Sequence, residues 1–286
     1  APLYVQVGGN CANSLQVLAA TLETPCTLIS KIYRDVHIGA QITARLQSIP
    51  RLNLEHVCYA ECANEQEMSS FTYIIVDQEQ QTRTCLHSKI ASQLVPEDYP
   101  DEKIAQSLQG ASLLHCDGRY APVALKFFQK AHQMNNSVAN NSTRIKIVTE
   151  CERIRITQDY IELMDLVKLS QHAICSKNFF KVFHSYHYQK NSTRQAEMGD
   201  CMHELLKIMS SSTILENQFV ITTLGKDGSV MLKKATNPVN EKKLFATVTE
   251  FVNSLLAASK AGQEIEQVPV HERSLPKINR AMIKFE

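Results

Sequence analysis

Ser112-Leu113-Leu114-His115-Cys116 begins the stretch on which the fold turns. It is a short apolar run, and an amphipathic segment, Ala121–Met134, follows it. The pairing repeats as Ile145–Thr149 with Asp159–Val167, then Ala173–Ser176 with Cys201–Met209, and ends on Phe219–Thr223. Strand-length apolar runs alternating with helical periods predict βαβ units, hence an α/β fold with a mostly parallel sheet and helices on both faces. Ligands of such sheets bind beyond the carboxyl ends of the strands, so the chemistry is sought there.

Working outward, Leu3–Val7, Thr27–Ser30 and Ser229–Lys233 read as further strands, and Cys11–Leu22, Val36–Gln47, Lys103–Gln109 and Glu241–Ser259 as further helices. Residues 51–90 break the pattern. There Phe71–Val76 and Arg83–Leu86 flank the polar turn Asp77-Gln78-Glu79-Gln80-Gln81, the signature of a β-hairpin. A small antiparallel sheet inserted at 51–90 is either a lid over a substrate site or a plain edge hairpin. Asn135–Thr143 reads as a polar loop. The 286 residues are expected to form one domain carrying this insertion.

Composition narrows the function classes. A formal net charge of +1 gives no electrostatic case for nucleic acid or an anionic membrane. No apolar run approaches the roughly 20 residues of a membrane helix, and the start lacks the basic and apolar segments of a signal peptide. The predicted location is the cytoplasm, with an organelle left open because the chain opens on Ala1 and reads as beginning inside a longer chain. The nine cysteines, several inside strand-like runs, read as buried thiols of a reducing compartment. Cys58 and Cys62 have the wrong spacing for a zinc knuckle. His184 and His187 read as part of a loop, and the sequons at Asn135, Asn140, Asn141 and Asn191 as chance matches.

Polar chemistry gathers where strands end. Gly8-Gly9-Asn10-Cys11-Ala12-Asn13 sits at a strand-to-helix turn. Asn10 and Asn13 share one face of a first helical turn and suit the hydroxyls of a small polar substrate, unless Asn10 only caps the helix. Thr222-Thr223-Leu224-Gly225-Lys226-Asp227-Gly228 offers N–H groups and hydroxyls to phosphate, or is a hairpin turn on Asp227-Gly228. Glu150, in Ile147-Val148-Thr149-Glu150-Cys151-Glu152-Arg153, suits Mg²⁺ held through water, or belongs to a solvated charge cluster. Arg83 in the hairpin suits a forked contact with phosphate, or is an ordinary exposed arginine. His115-Cys116-Asp117-Gly118-Arg119 is a further polar cluster.

Taken in order, these segments resemble the PfkB family of carbohydrate kinases, over nearly the whole chain. Gly8-Gly9-Asn10 with Asn13 is similar to the family's G-G-N-x-x-N, and Arg83-Thr84-Cys85-Leu86-His87 to the lid strand of ketohexokinase and plant PfkB-like proteins. Leu114-His115-Cys116-Asp117-Gly118-Arg119 resembles an I-H-I-E-G-R run, Val148–Arg153 a V-E-V-E-K stretch, and Thr223-Leu224-Gly225-Lys226-Asp227-Gly228 a T-L-G-x-x-G nucleotide segment. The resemblance implies a ribokinase-like three-layer α/β/α sandwich with a small β-lid, and transfer of the ATP γ-phosphate to a sugar hydroxyl with Mg²⁺. It implies that Gly9, Asn10 and Asn13 hold the sugar. Arg83, Thr223, Gly225 and Gly228 would lie by the phosphates and nucleotide, and Glu150 indirectly by the metal. A homodimer through the lid is a further implication.

Two departures temper the activity. The signature D-T-x-G-A-G-D, whose last Asp takes the substrate proton, is absent; Gly199-Asp200 precedes the Thr-Leu-Gly segment, and Asp200 reads as a helix cap. Lys177, in Cys175-Ser176-Lys177-Asn178, stands where many relatives have an acid. The family's first strand is also missing. The expectation is a chain truncated at both ends, with no catalytic base and no turnover. The alternatives are a non-catalytic regulatory or binding protein of the same fold and a nucleoside kinase of the same family.

Overall fold

The computed structural model describes residues 7–21, 24–62, 68–77, 79, 82–88, 93–137, 144–152, 154–188, 198–210, 218–224 and 228–233. The expected helix Glu241–Ser259, and all but the last residue of the expected strand Leu3–Val7, lie outside them.

The helix α1 (Asn10–Thr21) leads into two pairs of short strands. β1 (Cys26–Thr27) runs parallel to β3 (Leu52–Asn53), and β2 (Lys31–Tyr33) parallel to β4 (Cys58–Ala60). One continuous strand over Thr27–Ser30 is therefore replaced by two short ones, because the pairing partner changes between them. α2 (Ile38–Gln47) crosses between the pairs, and Leu28, Ile32, Leu46 and Val57 form the buried centre of this region. The start of α2 is fixed by Asp35. Its Oδ1 accepts from the N–H groups of His37 (3.1 Å) and Ile38 (2.5 Å), and its Oδ2 from Gly39 (2.8 Å) and Ser69 (3.0 Å). Burial opposes ionisation there, but these donors outweigh it and hold the carboxyl below its usual range. Any side chain at Gly39 would run into the Tyr33 carbonyl.

The hairpin forms as the sequence predicts, from β5 (Phe71–Asp77) and β6 (Thr82–Ser88), with Val76 opposite Arg83. Among the described residues the two strands pair only with each other. Tyr73, Ile74, Ile75, Val76 and Leu86 are all exposed, so both faces of the ribbon carry open apolar surface. Within 51–90, the stretch up to Ala60 belongs to the short parallel pairs, and the hairpin itself occupies 71–88.

After a 3₁₀ turn (Pro96–Asp98) and α3 (Asp101–Ser107) comes the main sheet. Its strands are β7 (Leu113–Cys116), β8 (Lys146–Cys151), β9 (His172–Ser176), β10 (Phe219–Thr223) and β11 (Ser229–Lys233). They lie side by side in chain order, parallel from β7 to β10, with β11 antiparallel at the edge. The crossover helices α4 (Ala121–Asn136), α5 (Thr157–Leu169) and α7 (Met198–Ser210) pack against one another as a layer. The fold class is the α/β class that the alternation predicts. Two apolar cores follow. One joins Phe127, Phe128 and Ala131 of α4 to Ile147, and the other joins Cys151, Ala173, Cys175 and Val220 of the sheet to Leu205 and Met209 of α7.

Two sequence expectations are corrected. His184 and His187 lie on a helix, α6 (Lys177–His187), rather than in a loop. Ser176 caps it by accepting from the Phe179 N–H (3.2 Å), and Phe179, Phe180 and Phe183 bury one side. His187 stacks on Phe183 and meets the Tyr160 hydroxyl at 2.8 Å. Asp200 lies in the first turn of α7, two residues inside its start, so it is not the cap.

His172 predicts how stability follows pH. It is 9% exposed and stacks on Phe219 with ring centres 3.7 Å apart. Burial, with Lys146 adding repulsion, brings its pKa from 6.5 down to about 4. Between those values the unfolded chain binds the proton and the folded chain does not, so stability falls as the pH drops through the window. Urea melts between pH 7 and pH 4 should show His172→Gln flattening that slope relative to the parent chain; parallel slopes would refute the assignment.

Candidate functional site

The turn at Gly8-Gly9 is built for α1. Gly9 has φ of +97°, the left-handed region that glycine enters without strain, and open space surrounds it. The Asn13 N–H bonds the Gly9 carbonyl at 2.9 Å and closes the first helical turn. Asn10 is already inside the helix, so the cap reading fails. Its Nδ2 donates instead to Oε1 of Glu150 at 3.2 Å, across 140 residues of chain. Asn13 is exposed on the same end of the helix.

Glu150 lies near the carboxyl end of β8, in register with Ile174 of β9. Beside it, at the end of β7, stands His115, whose Nε2 is 3.7 Å from Glu150 Oε2. The other ring nitrogen, Nδ1, is 3.7 Å from the Cys11 thiol. Asn10 and Cys11 are consecutive, so Asn10, Glu150, His115 and Cys11 close a ring that joins the start of α1 to two strand ends. The ring is half-buried, and burial sets its proton affinities. Burial, then Asp117 and Glu152, push the Glu150 carboxyl up, with Arg119 acting against them. Burial pulls His115 down against the pull of Asp117, and burial drives the Cys11 thiol up. The neutral imidazole and the protonated thiol are thus the favoured forms. At the rim Arg119 pairs with Glu152 at 3.2 Å.

The turn after β7 carries backbone strain. Gly118 has φ of +72°, and Tyr120, at φ of +49°, is a left-handed non-glycine residue at the start of α4. A Cβ on Gly118 would lie 3.0 Å from the Glu150 carbonyl oxygen. The two strand ends therefore approach as closely as they do because residue 118 has no side chain.

The other sequence-predicted residues stand apart from the ring. Thr223 ends β10, two strands from β8, and its hydroxyl donates to the Cys175 carbonyl at 3.4 Å. Gly228, with φ of +87°, accepts from the Leu224 N–H at 2.8 Å and closes the turn into β11. Gly225 lies outside the described residues. Arg83 sits exposed on β6, and no hydrogen bond or ion pair among the described residues ties it to Glu150. Cys11, His115 and Gly118 are what residue-by-residue reading left without a role. The polar run His115–Arg119 was the available signal.

Replacing Gly118 by Ala should cost about 1–3 kcal/mol, from left-handed strain and the crowded Glu150 carbonyl. Chemical denaturation of the variant measures it, and an unchanged midpoint would show that the turn relaxes freely.

No protein-family model matches the chain, and no curated protein matches it by sequence. Solved structures do. The chain is similar to Anopheles gambiae adenosine kinase in complex with P1,P4-di(adenosine-5) tetraphosphate, at 15% identity and a TM-score of 0.59, with 88% of this chain and 73% of that one covered. It is similar to a PfkB protein from Polaromonas sp. JS666, at 13% identity and a TM-score of 0.55, covering 90% and 80%. A third match is a structure described as a ribokinase II from E. coli with ATP and Mg²⁺, at 14% identity and a TM-score of 0.57, covering 84% and 73%. Carbohydrate and nucleoside kinases thus share this architecture, and the parallel sheet with its layered helices is a ribokinase-like fold.

Proposed function

We propose that the chain is a PfkB-type kinase domain that binds ATP with Mg²⁺ and a sugar hydroxyl as phosphoryl acceptor. The observation that carries this reading is the bond from Asn10 to Glu150, which brings two separate sequence motifs into one site at the strand ends. The amides of Asn10 and Asn13 present donors and acceptors to neighbouring hydroxyls, and Gly9 leaves room for a ligand against the backbone. Thr223, Gly225 and Gly228 belong to the sequence segment assigned to the nucleotide. Arg83 on the hairpin would reach the phosphates only with the lid closed over the site.

Among the described residues no group of three or more His, Cys, Asp or Glu side chains is placed to ligate a metal. Glu150, with Asp117 and Glu152 nearby, fits an outer role toward Mg²⁺ through water, and the nucleotide phosphates supply direct ligands. The ion's contribution is to neutralise charge on the transferring group. The chain carries no D-T-x-G-A-G-D segment, so no residue here is assigned the proton of the attacking hydroxyl, and binding without turnover is the proposed property of these 286 residues. A regulatory or binding protein of the same fold is the alternative reading. A nucleoside acceptor is the second reading, favoured by the likeness to adenosine kinases. The nine cysteines are all free thiols, five of them buried, which supports a reducing compartment such as the cytoplasm.

Calorimetric titration of the chain with Mg·ATP, D-fructose, D-ribose and adenosine tests the proposal. The expected result is binding of Mg·ATP and of a sugar. Asn10→Ala with Asn13→Ala should weaken sugar binding at least about tenfold, as the loss of one to two hydrogen bonds implies, and leave Mg·ATP unaffected. No binding of either ligand class would sink the reading, preference for adenosine would select the nucleoside alternative, and ADP release by this chain would overturn the assignment of binding without turnover.

The open apolar surface of the hairpin supports self-association through the lid. Sedimentation should show a dimer that Ile74→Lys with Val76→Glu converts to monomer; a monomeric parent chain at tens of micromolar would refute it.

A further inference from the structure

We propose that His115 is a positioning residue for the acceptor site: by bridging Cys11 and Glu150 it fixes the first turn of α1, and with it the Asn10 and Asn13 amides. The inference rests on the reading of those two amides as acceptor ligands.

The argument starts from what holds α1. The helix packs chiefly on β1 and β3, in the small N-terminal pairs. Its polar ties to the strand ends include the Asn10–Glu150 hydrogen bond, the Cys11–His115 contact and the Asp117 backbone beside the Cys11 thiol. The Asn10 bond alone leaves Glu150 free to swing, since a carboxylate on three rotatable bonds accepts from many directions. His115 removes that freedom. Its ring is three-quarters or more buried from solvent at the side chain, with 21% exposed, and it stands 3.7 Å from the second carboxylate oxygen. That spacing is an electrostatic contact rather than a hydrogen bond. Nδ1 meets the Cys11 thiol and Nε2 faces Glu150, so opposite edges of one ring engage the two partners. One imidazole thus orients a residue on β8 and a residue on α1 at once. Around Gly8 and Gly9 themselves the turn is open, since a side chain at either would meet nothing within 4 Å.

Hydrogen exchange and calorimetry on His115→Ala and His115→Gln decide the matter. The Asn13 amide, bonded to the Gly9 carbonyl, reports the first turn. In His115→Ala its exchange should quicken about tenfold, the scale of one lost hydrogen bond, while amides of β10 keep their protection. The Kd for the sugar probe, D-fructose or D-ribose, should rise by a similar factor with the Kd for Mg·ATP moving less than about twofold. Glutamine can donate to Glu150 and accept from Cys11, so His115→Gln should restore both values. Unchanged Asn13 exchange in the alanine variant overturns the proposal, as does equal weakening of both ligands or failure of glutamine to restore. If the parent chain binds neither sugar, the reading of the amides as sugar ligands fails, and the exchange measurement alone still decides whether His115 holds the turn.

Discussion

A carboxylate half-buried at the end of a parallel strand is costly unless other groups meet it, and Glu150 is met from two sides. The Asn10 amide donates to one oxygen and His115 faces the other. Burial and the neighbouring acids Asp117 and Glu152 all raise its affinity for a proton, and Arg119 acts against them. The consequence reaches beyond the site. These contacts tie α1, whose packing is otherwise with the small N-terminal pairs, to the main sheet. Glu150 thus ties the first turn of α1 to the strand ends, while Lys31 with Asp98 and the Tyr99 hydroxyl on the His56 carbonyl join the short strand pairs to the rest of the chain.

The turn after β7 exists in service of the same contact. Gly118 lets the β7 end approach the Glu150 carbonyl, and Tyr120 accepts a left-handed backbone where α4 begins. Strain of this kind persists where surrounding packing over-determines it. Here the buried face of α4, with Val123, Phe127 and Phe128, supplies that packing. Apolar burial in the body of the domain therefore holds a strained loop at its rim, and the loop in turn sets how close His115 and Glu150 stand.

What the sequence disclosed follows from where its signals are periodic. β8, with Ile147 and Val148 buried in succession, is the apolar run of a strand covered on both faces, and the helices between strands carry a clean 3.6-residue stripe. The hairpin was legible because its turn and both strands are local. The two-residue strands β1 and β3 were not, since their pairing joins Cys26 to Leu52 and no local pattern of two residues can announce that. α6 was missed for a different reason. His, Ser and Tyr crowd its second half, and only Phe179, Phe180 and Phe183 mark its buried side. The candidate residues Gly9, Asn10 and Glu150 were visible as motifs, yet their union was not, because a hydrogen bond across 140 residues leaves no trace in spacing. Cys11 read as one more buried thiol for the same reason.

The placement of Thr223 bears on how the two halves of the site would work together. β10 lies two strands from β8, and neighbouring strands are about 4.8 Å apart, so Thr223 and Glu150 are separated by roughly 10 Å or more across the sheet. No single cation reaches both, since its ligands must lie within about 2.6 Å. A phosphate chain is long enough to cover most of that gap. Under the proposed reading the nucleotide therefore lies along the strand ends from the β10–β11 turn toward β8, with its terminal phosphate nearest the Asn10–Glu150 ring. The parallel sheet thus does more than present loops. On that reading its strand spacing would set the distance over which a donor nucleotide extends before it meets an acceptor held by α1.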